Sequence, residues 1–206
     1  MDSIQETAFL NKIFDAAKIY KDNLVGRTFL FVFDGRGIEI IFKRVNFIHL
    51  CGVDSCHHPE EFFRRALFRT LKYNEIRYKY YQNERTANLK LDFINRLSSI
   101  TSSDTFALEG IVTNTENYKF GITDCAITIC LCNDTDKNGN SLPIYVIQSL
   151  RVGDCFNKST SQFIVDAILS RPNCAKEYDK VEFIDKNYNL SSLPELYKNS
   201  LADSLR

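Results

Sequence analysis

Imidazole is the side chain whose charge changes nearest neutrality, so the three histidines of this sequence, His49, His57 and His58, are the first residues to weigh. His49 lies in the run Asn46-Phe47-Ile48-His49-Leu50-Cys51-Gly52-Val53. Two readings stand side by side there. Its ring packs in the core with a nitrogen bonded to a backbone group, or it works as a general acid or base. The neighbouring Cys51-x4-Cys56-His57-His58 gathers zinc-compatible donors. The spacing fits no common zinc knuckle, however, and adjacent histidines do not readily reach one ion. Cys125, Cys130 and Cys132 read as residues of one strand, with the last two on one face as small buried hydrophobes. Asp134-Thr135-Asp136-Lys137-Asn138-Gly139 matches half of a calcium loop. Tyr145 stands where the closing glutamate is required, so Asn138-Gly139 is better read as a hairpin turn. No metal site is expected.

Charge is the second signal. From Arg64 to Lys90 there are eight cations (Arg64, Arg65, Arg69, Lys72, Arg77, Lys79, Arg85 and Lys90) against Glu75 and Glu84, an excess of six. Tyr73, Tyr78, Tyr80 and Tyr81 are interleaved with them. Cations beside stackable rings suit a single-stranded RNA surface. A solvated helical face with no ligand explains the same pattern. With Lys43 and Arg44, the RNA-binding candidates are Arg64, Arg65, Arg69, Lys72, Arg77, Lys79, Tyr78 and Tyr80.

The elements that must position these groups are legible in outline. Ile4, Ala8, Leu10, Ile13, Phe14, Ala17 and Ile19 or Tyr20 recur at spacings of three and four, which predicts a helix over Ser3 to Lys21. Ser3 and Glu6 fit a capping box at its start. Arg27–Phe33 and Ile38–Lys43 flank Asp34-Gly35-Arg36-Gly37 and predict a β-hairpin. Pro59 opens a helix carrying Phe62, Phe63, Ala66 and Leu67. A further helix is expected from about Glu84 to Ile100. Thr105–Val112, Ile122–Cys132, Leu142–Leu150, Gln162–Leu169 and Val181–Ile184 then read as strands, with a loop and short helix from Asn187. Helices followed by a run of strands argue an α+β fold with an antiparallel sheet. The division expected is an N-terminal helix over 1–24, an α+β domain over 25–186 and a tail over 187–206.

The chain has 206 residues, with 26 basic and 26 acidic side chains. Net neutrality excludes attraction of nucleic acid by overall charge, as in a histone-like protein, so a nucleic-acid site has to come from local segregation. No apolar run reaches the length of a membrane span, and the N-terminus has no secretory pattern, so the chain reads as cytoplasmic, its seven cysteines as thiols. A Walker loop, G-x-G-x-x-G and G-x-S-x-G are all missing, and no cofactor is expected.

The hairpin ending in Phe42-Lys43, then Asn46-Phe47-x-His49-Leu50-x-Gly52-Val53, then the helix with Phe62-Phe63, resembles the fourth group of phage-associated barnase–EndoU–colicin–RelE-like nuclease domains. Further along, Lys90 in a helix, Pro143-x5-Ser149-Leu150 and Ala167-Ile168-x-x-Arg171 leading toward Tyr178 fit the same pattern over roughly residues 25 to 186. Two segments depart from it, the insertion across Pro143–Ser149 and the loop Asp154–Thr160. The resemblance implies helices followed by a curved antiparallel sheet, and a metal-independent endoribonuclease acting by 2′-hydroxyl transesterification. It carries His49 over as catalytic, with Lys90, Ser149 and Arg171 as weaker candidates. His49 would be base or acid; Lys90 and Arg171, or Lys43 and Arg44, would hold phosphate; Tyr145 or Ser149 would orient a phosphate oxygen. The partner of His49 is left open, with a tyrosine or lysine in that role. The competing reading is a counter-defence protein that binds a host nuclease complex, such as a CRISPR effector, or its guide RNA, without catalysis. A third is a nuclease fold that has kept RNA binding and lost turnover. The partners expected are therefore RNA or a host defence complex, and no membrane.

Overall fold

The structure is a computed structural model that describes residues 3–78, 83–114 and 116–205. Helix α1 (Ser3–Asn23) leads into strands β1 (Arg27–Phe33) and β2 (Arg36–Ile41). Asp34 and Gly35 both have positive φ (50° and 67°), so the expected hairpin closes through a two-residue type I′ turn, and β2 starts two residues earlier than the sequence suggests. A tight turn at Arg44–Asn46 feeds α2 (Phe47–Cys51). There follow β3 (Asp54–Ser55), α3 (Pro59–Leu67), β4 (Ile76–Arg77), α4 (Glu84–Phe93) and α5 (Leu97–Ile100). The long helix expected over 84–100 is thus α4 and α5 with a 3₁₀ turn at Ile94–Arg96 between them.

The second half is strands: β5 (Phe106–Val112), β6 (Asn117–Thr123), β7 (Ile127–Thr135), β8 (Ser141–Val152), β9 (Ser161–Ile164), β10 (Ala167–Pro172) and β11 (Lys180–Ile184), before the short helix α6 (Glu195–Lys198). Two expected strands are each divided. Ile122–Cys132 is cut at Asp124, whose Oδ1 accepts from the backbone N–H of Ala126 and Ile127 at 3.0 and 2.9 Å, while Cys125 takes φ 72°. Local side-chain bonding of this sort favours a turn over a ladder. Cys125 therefore sits in a turn, away from the strand that holds Cys130 and Cys132. Gln162–Leu169 is cut at Val165–Asp166, whose backbone N–H groups donate to Thr105 and Val32 rather than continuing one ladder. By contrast the Asp136–Asn140 segment is the hairpin turn expected between β7 and β8, with Gly139 at φ 84° and the Asp136 carboxylate accepting from Asn138 and Asn140.

Nine strands form one sheet in the order β11-β10-β1-β2-β8-β7-β6-β5-β9, and β3 pairs with β4 separately. All neighbours in the large sheet are antiparallel except β2 and β8, which run parallel and pair only at Ile40–Tyr145 and Ile41–Val146. Consecutive β9 and β10 lie near opposite ends of that order yet are joined by two residues, so the sheet is strongly curled without closing. Parallel neighbours require a crossover. Here that crossover carries all of α2 to α5, and it lays them on the same side of the sheet as α1.

The principal core lies between these helices and the sheet. From α1 it takes Phe9, Ile13, Phe14, Ala16, Ala17 and Tyr20. Ile4, counted in the expected stripe, is 73% exposed, so the buried face begins one turn later. Strand β1 is buried on both faces: Phe29, Phe31 and Phe33 enter the principal core. Leu30 and Val32 enter a second cluster with Ala167, Leu169, Tyr178 and the tail residues Leu193 and Leu201. The segment after Asn187 packs on the outer face of β1 and β10.

Candidate active site

Helix α2 has five residues, too few to be stable by itself, so its place is set by what it buries. Phe47, Ile48, Leu50 and Cys51 are buried, each side chain contributing roughly 1.5–3 kcal/mol for the larger apolar residues. Phe47 stands 5.2 Å from the Phe63 ring and 5.5 Å from Tyr20, and the Tyr20 hydroxyl donates to the Lys43 carbonyl at 2.9 Å, holding the turn that leads in. His49 is the one α2 residue left out of the core, and it opens into a cleft of about 700 Å³. The ring thus lines a cleft, where a substrate can reach it.

The cleft exists because β2 covers β8 only as far as Val146. Beyond that point α2 and α4 lie beside β8 in place of a strand. Its lining includes His49, Lys90 on α4, Ser149 and Arg151 on β8, and Glu116 and Tyr118 on the way into and along β6. Three positions proposed from the sequence, His49, Lys90 and Ser149, are thus brought together. Helix α4 is tied down from outside by Lys12 of α1, whose Nζ reaches Asp92 at 2.5 Å.

Lys90 reaches the cleft past Gly52. Gly52 ends α2 in the left-handed region (φ 69°), with its N–H donating to the His49 carbonyl at 3.3 Å. A Cβ there would lie 2.7 Å from Lys90 Cδ and 3.6 Å from Ala87 Cα. Gly52→Ala is therefore expected to cost about 1–3 kcal/mol in chemical denaturation through backbone strain, and to displace the Lys90 shaft as well. An alanine variant as stable as the parent would contradict this packing.

Strand alternation puts Ser149 and Arg151 on one face of β8, opposite Cys130 and Thr128 of β7. Tyr118 reaches across from β6: its hydroxyl donates to Glu116 Oε2 at 3.0 Å, and its ring centroid stands 5.7 Å from Arg151 Cζ. The other Glu116 oxygen accepts from the Gln148 side chain. Arg151 also donates to Thr113 Oγ1 at 3.1 Å. Burial, and then repulsion from Arg151, lower the Lys90 pKa below the usual lysine value. Burial raises that of Tyr118, and pushes the Cys130 thiol up to about 12. The arrangement offers an imidazole, a weakened ammonium, a guanidinium and two hydroxyls facing one space. Lys90, Arg151 and Lys158 bring positive charge there against the carboxylate of Glu116.

Arg171 does not join them. Its guanidinium donates to Glu39 Oε1 at 2.8 Å and to the Ala175 carbonyl at 2.6 Å, and Tyr178 donates to the same Glu39 oxygen at 2.5 Å. Alternation along β10 places Arg171 with Leu169 on the tail-covered face. Arg171→Ala is expected to cost about 2 kcal/mol of stability by leaving Glu39 short of a charged partner. Urea denaturation reads this, and an unchanged midpoint would count against the pairing.

Three cations of the basic segment, Arg64, Arg65 and Arg69, are also engaged elsewhere. Arg64 and Arg65 bind Glu61 at 2.7 Å, and Arg65 also reaches Glu75. Arg69 pairs with Asp15 at 3.1 Å and lies over the Phe14 ring. Lys43 holds Asp134 at 2.6 Å, and Arg44 lies 3.9 Å from Glu60. Lys72 and Arg77 are exposed outside the cleft, Tyr78 packs against the core, and Lys79 and Tyr80 lie outside the described residues. Tyr145 is buried edge-on to Phe120. His57 sits 3.2 Å from Glu75, and His58 caps α3. Among the described residues no group of three or more His, Cys, Asp or Glu side chains could hold a metal ion, and no helix is long and apolar enough to cross a membrane.

Sequence reasoning missed Arg151, Tyr118, Glu116, Gln148 and Lys158. Alternation from Ser149 could have found Arg151. Nothing local marks Tyr118 or Glu116, since the strand that carries the tyrosine was not recognised.

Residues 12–187 match the model of one protein family, described as phage-Barnase-EndoU-ColicinE5/D-RelE like nuclease4. No curated protein matches the chain, and no solved structure does.

Proposed function

The chain belongs to that family of nucleases, and from this premise we propose that it is an endoribonuclease that cuts RNA by internal transesterification without a metal ion. The observation that carries the proposal is the convergence of His49, Lys90 and Ser149, far apart in sequence, on one cleft that also holds Arg151. In this scheme the neutral His49 imidazole takes the proton from a ribose 2′-hydroxyl. The 2′-oxygen attacks the adjacent phosphorus, and the bond to the 5′-oxygen breaks. Lys90, an ammonium made more acidic by burial, gives that oxygen its proton. The products are a 2′,3′-cyclic phosphate and a 5′-hydroxyl. Arg151 and Ser149 face the non-bridging oxygens, where negative charge grows in the transition state. Gln148 and Tyr118 both bond Glu116, which fixes the Tyr118 ring beside Arg151.

The test is incubation of purified protein with mixed RNA in EDTA. Cleavage leaving 2′,3′-cyclic ends is expected, and its absence across varied RNAs would overturn the proposal. The non-catalytic reading needs Arg64, Arg65 and Arg69 as a docking surface. Their engagement with Glu61, Glu75 and Asp15 speaks for a structural use of those arginines instead. The cytoplasm, where RNA is at hand, is the compartment this activity suits.

A further inference from the structure

A phosphate site does not by itself hold a nucleotide in register, and the same cleft has a second chemical character. Leu89 and Val152 are among the few large apolar side chains substantially open to solvent, at 48% and 39%, and both line it. Leu89 precedes Lys90 on α4, and Val152 ends β8 on the strand face opposite Arg151 while still bordering the cleft. They therefore rise from the two elements that flank the cleft, α4 and β8. Lys158 is supplied by the loop 154–160. That loop is firmly built. Asp154 accepts from the Phe156 N–H at 2.9 Å, the Phe156 ring meets Phe106 edge-on at 5.3 Å, and the Thr160 N–H donates to the Glu109 carbonyl at 2.8 Å.

Resting on the ribonuclease reading, we propose that Leu89 and Val152 form an aliphatic clamp for the nucleobase beside the scissile phosphate, and that Lys158 receives the next phosphate along the strand. A base presents two apolar faces and sits one sugar away from its phosphate, which matches a cleft lined by both apolar side chains and cations. The cleft volume of about 700 Å³ falls within the range of small-ligand sites, roughly 300–1,000 Å³. Among the described lining residues the aromatic rings are the buried Tyr118 and the His49 imidazole, which the scheme commits to the 2′-hydroxyl, so the remaining faces offered to a base are aliphatic. Such faces grip purines and pyrimidines alike, and the clamp sets position rather than base identity.

The test uses short RNAs with one cleavable ribose, every other sugar being 2′-O-methyl, and matched substrates lacking the base on one or the other side of that ribose. On the complete substrate, Leu89→Ala and Val152→Ala are each expected to raise KM about fivefold with kcat within about twofold, because apolar contact is lost while the reacting groups stay. On the substrate that lacks the clamped base, the two variants should match the parent. Leu89→Met should restore KM, and Lys158→Ala should lower the salt dependence of binding. Both apolar residues are exposed, so melting temperatures of the variants should equal that of the parent. Equal effects on complete and abasic substrates, or no effect on either, would overturn the clamp while wild-type cleavage left the ribonuclease reading standing. A parent protein that cuts none of these RNAs would overturn both.

Discussion

His49→Ala is expected to lower RNA cleavage by about 10²–10⁴-fold, the usual range for a positioned general acid or base, with the melting temperature within a few degrees of the parent. The two halves of this expectation have separate causes. Activity falls because no other histidine is available: His57 faces Glu75, and His58 caps α3. Stability holds because α2 is anchored by its four other side chains, which the substitution leaves in place. Alanine also favours helix. Single-turnover rates with a defined RNA, read beside a thermal melt, check both halves. A fully active His49→Ala protein would remove His49 from the mechanism.

Lys90→Met should lower cleavage by about 10²–10³-fold, by analogy with loss of one group that stabilises transition-state charge, and should raise the melting temperature. The opposite signs are the point of the experiment. Methionine keeps most of the shaft that passes Gly52 and removes a cation held close to Arg151 in a half-buried site. Because the folded-state pKa of Lys90 is below the unfolded value, the folded protein binds this proton less tightly than the unfolded chain. Stability then rises as pH climbs through the folded pKa toward the ordinary lysine value, and the methionine variant lacks that rise. Parent activity should fall across the same window, as the ammonium that protonates the leaving oxygen is lost. Lys90→Arg should move that alkaline limb upward, since guanidinium stays charged. Rate–pH profiles and denaturation at several pH values measure the two effects. A destabilised Lys90→Met protein, or an alkaline limb unmoved in Lys90→Arg, would reject this role.

Function and marginal stability are set against each other at Lys90. A cation kept partly out of water beside a second cation is unfavourable for the fold, yet that environment makes the ammonium a stronger acid. By contrast, the cations of α3 have carboxylate partners. The Glu61 carboxyl is lowered to about 2, first by its bond to Arg64 and then by that to Arg65. Those groups are engaged in intramolecular pairs on an exposed face.

Local chemistry read along the chain was sufficient for much of the fold. Asp34-Gly35-Arg36-Gly37 between two aromatic and β-branched runs specified a β-hairpin, Pro59 marked the first turn of α3, and Asn138-Gly139 marked a turn rather than a calcium loop. The order of helices and strands announced α+β with an antiparallel sheet, and the resemblance around His49 pointed to the nuclease family and, through it, to a curved sheet. Each of these rests on interactions within a few residues, which sequence spacing reports directly. The boundaries at Asp124 and Asp166 were not legible, because apolar, β-branched composition looks the same in one long strand as in two short ones. Nor could composition tell which cations of the basic segment face a ligand. Arg65 and Lys90 are equivalent as letters, and only the position of Glu61 and Glu75 on one side, and of Arg151 on the other, separates them. What tertiary structure alone decided was the cleft. It arises where β2 stops covering β8, and it is completed by Tyr118 across the ladder and Lys90 across Gly52. Register and crossover geometry create those contacts over long separations, whereas hydrophobic period and turn chemistry act only on neighbours along the chain.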